Sequence, residues 1–208
     1  FLLVRHGESI WNKENKFTGW TDIPLTDNGK QQAEHMGEIL LQNKIKPHCI
    51  FTSNLIRGLH TSQIIKSRLN NDFEIYESWR LNEKSYGDCE GICRDDLIAW
   101  TSKDYVSELR RSFFMLPPKL ENDQKHNLSD YQLRTCKHYY AHNLQNGETK
   151  EMVLHRLLPY WYEQIIPKIK DHMCPLIVTH KHTARVLIKY LTQMPLKEFD
   201  NLEFPNSQ

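Results

Sequence analysis

No apolar run in the sequence is longer than four or five residues, and mean hydropathy is −0.65. A membrane-spanning helix needs about 20 consecutive apolar residues, so none is expected. A surplus of one charge is missing too, with 27 Lys and Arg against 26 Asp and Glu for a net +1. Without a basic excess to hold a polyanion, no nucleic-acid partner is expected. The balance of 25% charged and 39% hydrophobic residues is that of a globular chain, not a disordered one. Cysteine is sparse and odd in number: Cys49, Cys89, Cys93, Cys136 and Cys174. Only Cys89 and Cys93 are close, and they lack the second ligand pair of a zinc site, so no metal is expected. Scattered reduced thiols suit a cytoplasmic setting. No repeat or linker divides the 208 residues, which predicts a single domain over 1–208. The chain starts at Phe1 without Met and reads as trimmed at both ends, which would leave any targeting peptide out of sight.

What is present alternates between short apolar runs and amphipathic stretches. Leu2–Val4, Cys49–Thr52, Phe73–Tyr76 and Leu176–Thr179 read as strands. Thr26-Asp27-Asn28-Gly29 offers a cap before a helical face of Ala33, Met36, Leu40 and Leu41, which Pro47 is expected to end. Further helices are predicted from about Arg57 to Arg68 with Leu59, Ile64, Ile65 and Leu69 inward, and from Asp95 to Ser112. Others follow from Glu148 to Lys170 with a kink at Pro159, and from Ala184 to Leu191. Residues 119–146 are polar and irregular and read as the mobile region. This alternation predicts an α/β fold, a three-layer sandwich whose mainly parallel central sheet is flanked by helices.

In such sheets ligands sit beyond the carboxyl ends of the strands. That rule selects Arg5-His6-Gly7 after the first strand, Arg57 after the second, Glu83 after the third and His180 after the fourth. Two guanidiniums can grip a phosphate bidentately, as Lys cannot. Their charge disfavours imidazolium and keeps an imidazole neutral and nucleophilic. A neutral histidine can take a phosphoryl group, with Glu83 as the acid that protonates the leaving oxygen. Taken singly, each residue has a plainer reading: His180 as a core histidine, Arg57 as a solvated charge at a helix start, Glu83 as a surface carboxylate. The four together at successive strand ends favour phosphoryl transfer.

Leu3-Val4-Arg5-His6-Gly7-Glu8-Ser9-Ile10-Trp11-Asn12, Phe17-Thr18-Gly19-Trp20 and Pro24-Leu25-Thr26-Asp27-Asn28-Gly29 closely resemble the cofactor-dependent phosphoglycerate mutases of the histidine phosphatase superfamily. The resemblance continues through Trp79-Arg80-Leu81-Asn82-Glu83, Tyr86-Gly87, Arg110-Arg111-Ser112, Gly147-Glu148-Thr149 and Leu176-Ile177-Val178-Thr179-His180. It implies His6 as the phosphorylated nucleophile, Glu83 as proton donor and acceptor, and Arg5, Asn12, Arg57 and His180 around the moving phosphoryl group. It also implies Thr18, Gly19, Tyr86, Arg110 and Arg111 around the rest of a phosphoglycerate. Arg94 stands where the family has lysine. 2,3-Bisphosphoglycerate would prime the histidine with no metal, and the protein would be a homodimer or homotetramer. The aromatic stretches Tyr139-Tyr140 and Tyr160-Trp161-Tyr162 would serve either an interface or core packing.

Three departures stand out. Lys181-His182 follows the second histidine where the family has Gly-Asn, so both become candidates for substrate contact. Gly58 follows Arg57 in place of alanine, at a cost of about 1 kcal/mol in helix propensity. The chain ends Phe204-Pro205-Asn206-Ser207-Gln208, where the family reads Pro-Thr-Gly and continues into a tail that covers the site. The leading expectation is interconversion of 3- and 2-phosphoglycerate in glycolysis. The alternative is a phosphatase for small phosphorylated metabolites, and a third reading is an inactive binding module on the same fold.

Overall fold

The computed structural model describes residues 1–119 and 147–205. Four parallel strands, β1 (Leu2–Arg5), β2 (Cys49–Thr52), β3 (Ile75–Glu77) and β4 (Pro175–Thr179), form a sheet in the order β1-β4-β2-β3. The last strand in the chain therefore lies beside the first, with Arg5 opposite Thr179 and Val4 opposite Val178. The sheet divides the apolar residues by parity, because side chains alternate across a strand. Ile50, Leu176 and Val178 pack with Met36, Leu40 and Ile65 on one face. Phe51 and Ile177 pack with Val153, Leu157, Val186 and Leu187 on the other.

The first face is covered by α2 (Asp27–Gln42) and α3 (Ile56–Leu69), the second by α6 (Lys150–Tyr160) and α8 (Lys181–Thr192). A short α1 (Ile10–Lys13), α4 (Arg94–Trp100), α5 (Lys103–Arg111), α7 (Ile166–Lys170) and α9 (Leu196–Asn201) complete the α-helices among the described residues. This is the expected α/β sandwich. Among those residues no helix is long and apolar enough to cross a membrane. The 119–146 prediction from Leu120 onward, Cys136, Tyr139-Tyr140 and Asn206-Ser207-Gln208 lie outside the described residues.

Several boundaries differ from the sequence reading, each for a local reason. Thr26 caps α2 by accepting from the Gly29 N–H at 2.9 Å. That helix stops at Gln42, well short of Pro47. Lys44 turns left-handed (φ 56°), and the N–H groups of Ile45 and Lys44 fold back onto the Leu40 and Leu41 carbonyls. The inward face of α3 is Arg57, Gly58, Thr61, Ser62 and Ile65. Of the four apolar residues expected inside, Leu59, Ile64 and Leu69 are only half-buried, because this helix presents polar side chains to the strand ends. The single helix expected over 95–112 is broken at Thr101-Ser102, where the Ser102 hydroxyl accepts from the Tyr105 N–H and starts α5. The long helix over 148–170 loses α geometry between Pro159 and Pro167. There Trp161–Ile165 forms a π turn, the wider winding that accommodates a missing N–H. Trp161 belongs to the core, while Tyr162 is exposed.

Two glycines let the loop after β1 touch the start of α2. A Cβ on Gly7 would stand 2.1 Å from the Gly29 carbonyl oxygen, and one on Gly29 2.0 Å from the Glu8 carbonyl oxygen. Backbone, not a flexible side chain, is in the way on both sides. Gly29→Ala is therefore expected to cost about 1–3 kcal/mol, the range for forced overpacking, read as a lower denaturant midpoint at unchanged slope.

Candidate active site

Because β1 and β4 are neighbours, His6 and His180 leave the sheet side by side, and the His6 N–H donates to the Thr179 carbonyl at 3.0 Å. Their rings lie 4.9 Å apart between centroids. His6 Nδ1 is 2.6 Å from the Gly7 carbonyl oxygen. A carbonyl only accepts, so Nδ1 carries the proton and Nε2 keeps its lone pair. Burial holds the His6 pKa well below the usual imidazole value, with Arg57 and Arg5 adding to the effect. His6 is thus a neutral base with a defined tautomer. His180 is lowered likewise, by burial first and then by Arg57. Its Nε2 is paired with Ser53 Oγ at 2.7 Å, it is fully buried, and it does not line the cleft.

Arg57, in the first turn of α3, is 1% exposed and donates to the carbonyls of Thr21 at 2.9 Å and Gly19 at 2.6 Å. It therefore fastens the 19–21 loop as well as charging the site. The neighbouring Gly58 has a packing reason: a Cβ there would stand 2.5 Å from Ser53 Oγ, the partner of His180. Arg5 donates to the Phe204 carbonyl at 3.3 Å, and burial lowers its pKa to about 10, leaving it charged at neutral pH.

Glu83 is 7% exposed and accepts the Lys84 N–H at 2.8 Å and the His182 N–H at 3.1 Å. Its segment is held by a group the sequence reading did not single out, the buried pair Arg156–Glu148 at 2.7 Å. Arg156 spends its remaining donors on the carbonyls of Arg80, Asn82 and Glu83, and the Trp20 indole N–H also reaches the Glu83 carbonyl at 2.7 Å. Glu90 was missed as well. Its carboxylate accepts from the Trp20, Thr21 and Tyr86 backbone N–H groups and from the Ser85 and Thr21 hydroxyls. It thereby ties both rims of the cleft together. Gly19, at φ 55°, is required beside it, since a Cβ would lie 1.9 Å from the Glu90 carboxylate. No sequence signal marks such braces, because most of their partners are main-chain atoms.

The cleft holds about 260 Å³ and is lined by Arg5, His6, Asn12, Thr18, Gly19, Arg57, Glu83, Tyr86, Arg94, Arg110, Lys181 and His182, all sequence candidates, together with Glu8 and Phe17. Five cations face two carboxylates. Arg94 is oriented by Asn15 at 3.0 Å, and Lys181 is paired with Glu203 at 2.6 Å. Burial pushes the Tyr86 phenol up, so it stays protonated. Arg111 is exposed and lines an adjoining cleft rather than this one. Among the described residues no cluster of three or more His, Cys, Asp or Glu side chains could hold a metal ion.

The family profile described as histidine phosphatase superfamily (branch 1) matches residues 1–127 and 118–208. A 2,3-bisphosphoglycerate-dependent phosphoglycerate mutase of Blochmanniella floridana is 37% identical over 206 residues, covering 98% of this chain and 88% of its own. One from Hydrogenobaculum is 34% identical over 98% of this chain and 82% of its own. Among solved structures, a mycobacterial glucosyl-3-phosphoglycerate phosphatase complexed with VO3 superposes with a TM-score of 0.73 at 20% identity, over 98% of this chain and 87% of that one. Bacillus stearothermophilus YhfR gives 0.70 at 27% identity, over 98% and 85%.

Removing one member of the buried pair leaves the other charge stranded. Arg156→Met is expected to cost about 3–5 kcal/mol in denaturant unfolding and to loosen the Glu83 segment. Linkage predicts a second effect. His6, His180 and His182 have folded pKa values below their unfolded ones, so the unfolded chain binds more protons as pH falls below about 6.5. Stability should be full above that pH and drop steadily toward pH 5, seen as a falling denaturant midpoint.

Proposed function

The chain belongs to the histidine phosphatase superfamily, with the 2,3-bisphosphoglycerate-dependent phosphoglycerate mutases, and we propose that it interconverts 3- and 2-phosphoglycerate through phosphorylation of His6. The observation that carries this reading is the state of His6: neutral, with its Nδ1–H committed to Gly7 and its Nε2 lone pair free among Arg5 and Arg57.

In the forward half-reaction Nε2 attacks phosphorus, the N–P bond forms and the P–O bond breaks. Arg5 and Arg57 neutralise the equatorial oxygens, which in a buried site counts for more than in water. Their fixed positions come from the carbonyls of Phe204, Thr21 and Gly19, so little reorganisation is needed. The leaving oxygen needs a proton, and Glu83 is the acid we assign. In the free protein Glu83 is held as a carboxylate. The arrival of a phosphate dianion raises its pKa by like-charge repulsion and lets it take up the proton it later gives. In the return half-reaction the acceptor hydroxyl attacks phospho-His6, the N–P bond breaks, and Glu83 takes the hydroxyl proton.

Arg94, Arg110, Tyr86, Asn12 and Thr18 suit the carboxylate and the second phosphate-bearing end of a three-carbon acid. The same cations fit 2,3-bisphosphoglycerate, whose contribution when bound is the phosphoryl group that primes His6. A preference for water as acceptor, which would make the protein a phosphatase, draws support from Lys181 and His182. They line the cleft with two side chains where the family has Gly-Asn.

A paired assay separates these. Isomerisation of 3-phosphoglycerate should rise at least tenfold with catalytic 2,3-bisphosphoglycerate and exceed phosphate release from the same compounds. Phosphate release without isomerisation would convert the assignment to the phosphatase. His6→Ala should abolish both activities, and turnover retained in that variant would remove His6 from the mechanism.

A further inference from the structure

Arg110 reaches the cleft from the last turn of α5, and among the described residues no side chain accepts from its guanidinium. Its aim is therefore set by the main chain beneath it. A helix end leaves carbonyls without intrahelical partners, and here groups from elsewhere in the fold take them. Lys84 Nζ donates to the Leu109 carbonyl at 3.3 Å, and Arg185 Nη1 to the Arg110 carbonyl at 3.4 Å. Lys150 Nζ donates to the Ser112 carbonyl at 2.6 Å. The next carbonyl, that of Phe113, accepts the Lys150 and Glu151 backbone N–H groups at 3.0 and 3.2 Å.

Cations thus meet the negative end of the α5 dipole, and none of the three is more than 2% exposed. Each is anchored elsewhere. Lys84 follows Glu83 directly, Arg185 lies on α8, and Lys150 opens α6, whose Val153 and Leu157 pack on the sheet. The apolar face of α5 makes no such link, since Val106 and Leu109 pack with Phe17, Tyr86 and Leu97 in a cluster that holds no strand residue. The polar contacts are what register the end of α5 to the sheet and to Glu83. Among the described residues neither lysine is paired with a carboxylate. Burial pushes the Lys150 pKa down to about 6 and that of Lys84 to about 8. Amine or ammonium, each nitrogen still has an N–H to donate. An apolar side chain would fill the same space without the cost of desolvation, so what the lysines add is their hold on the carbonyls.

We propose that Lys150 is a positioning residue for Arg110: with Lys84 on the other side, it holds the carbonyls that flank Arg110 and so fixes where the guanidinium enters the cleft. This rests on the reading above, in which Arg110 binds the acid end of a phosphoglycerate. Its consequence falls on substrate affinity and not on phosphoryl transfer, because His6 and Arg57 are held by other contacts.

The test compares KM and kcat for 3-phosphoglycerate with those for p-nitrophenyl phosphate, an ester that carries no carboxylate. Lys150→Met keeps the length of the side chain and removes the donor. KM for 3-phosphoglycerate should rise about tenfold, the scale of one hydrogen bond to a charged group. Its kcat, and both constants for p-nitrophenyl phosphate, should stay as in wild type. A loss of folded protein alone would lower kcat for both esters and leave KM unchanged. Lys150→Arg, which keeps a cationic donor, should return KM toward wild type. Arg110→Met should raise KM by itself, and adding Lys150→Met should raise it no further, since the two act through one guanidinium. KM can be read from isomerisation or from phosphate release, so the result does not depend on which acceptor the enzyme prefers. Should Lys150→Met fail to fold, Lys84→Met frees the Leu109 carbonyl and enters the same comparison. A wild-type KM in the variant without the lysine, or an effect that adds in full to that of Arg110→Met, overturns the proposal. An Arg110→Met enzyme with wild-type KM overturns the assignment of Arg110 to the acid end, and the proposal falls with it.

Discussion

The hydrogen bond from the His6 amide to the Thr179 carbonyl is the constraint on which the site depends. It extends the β1–β4 ladder one residue past the strand end, where the chain would otherwise be free to splay. The backbones of His6 and His180 are thereby held in register by the sheet, not by a loop. The side chains can then be buried as neutral rings 4.9 Å apart without a counter-ion between them. Placing β4 centrally, with all five of its residues buried, makes this register hard to shift.

Around that rigid pair the cationic groups are held by carbonyl oxygens more than by carboxylates. Arg57 binds Gly19 and Thr21, Arg5 binds Phe204, and Arg185 binds Phe199. A carbonyl dipole orients a guanidinium without cancelling its charge, so the cleft stays positive and ready for an anion. Glu83 is the exception: a carboxylate among these cations, whose oxygens accept from the Lys84 and His182 backbone N–H groups. Arg156, by contrast, is neutralised by Glu148 and serves structure.

Much of this arrangement was legible in the residues. Short apolar runs bounded by polar residues located β1, β2 and β4, and the strand-end rule brought His6, Arg57, Glu83 and His180 to one edge. Helix boundaries were read less well where backbone geometry decides them. Lys44 ends α2 by turning left-handed, Ser102 restarts a helix by capping it, and the stretch between Pro159 and Pro167 widens instead of merely kinking. The inward face of α3 was misjudged because apolar periodicity assumes an oily interior, whereas Arg57, Thr61 and Ser62 face a polar one. Glu90 and Arg156 stayed hidden for a related reason. Both act largely on main-chain groups, which any sequence supplies, so little in residue type or spacing announces them.

The double tie made by Glu90 divides the cleft into parts with different freedom. It locks the Trp20–Thr21 segment to the Ser85–Tyr86 segment, and Arg57, which donates to the Gly19 and Thr21 carbonyls, is tied into the same frame. Arg94 and Arg110 lie outside it, on α4 and α5, two helices separated by the break at Thr101-Ser102. On the proposed reading, the part of recognition assigned to Arg94 and Arg110 is carried by chain outside that frame, while Tyr86 lies within it. Substitutions along α4 and α5 can re-aim the cleft at acids of another length or charge while the phosphoryl machinery keeps its geometry. Within the frame the same drift is blocked, because any residue but glycine at position 19 drives a side chain into the carboxylate that holds both walls.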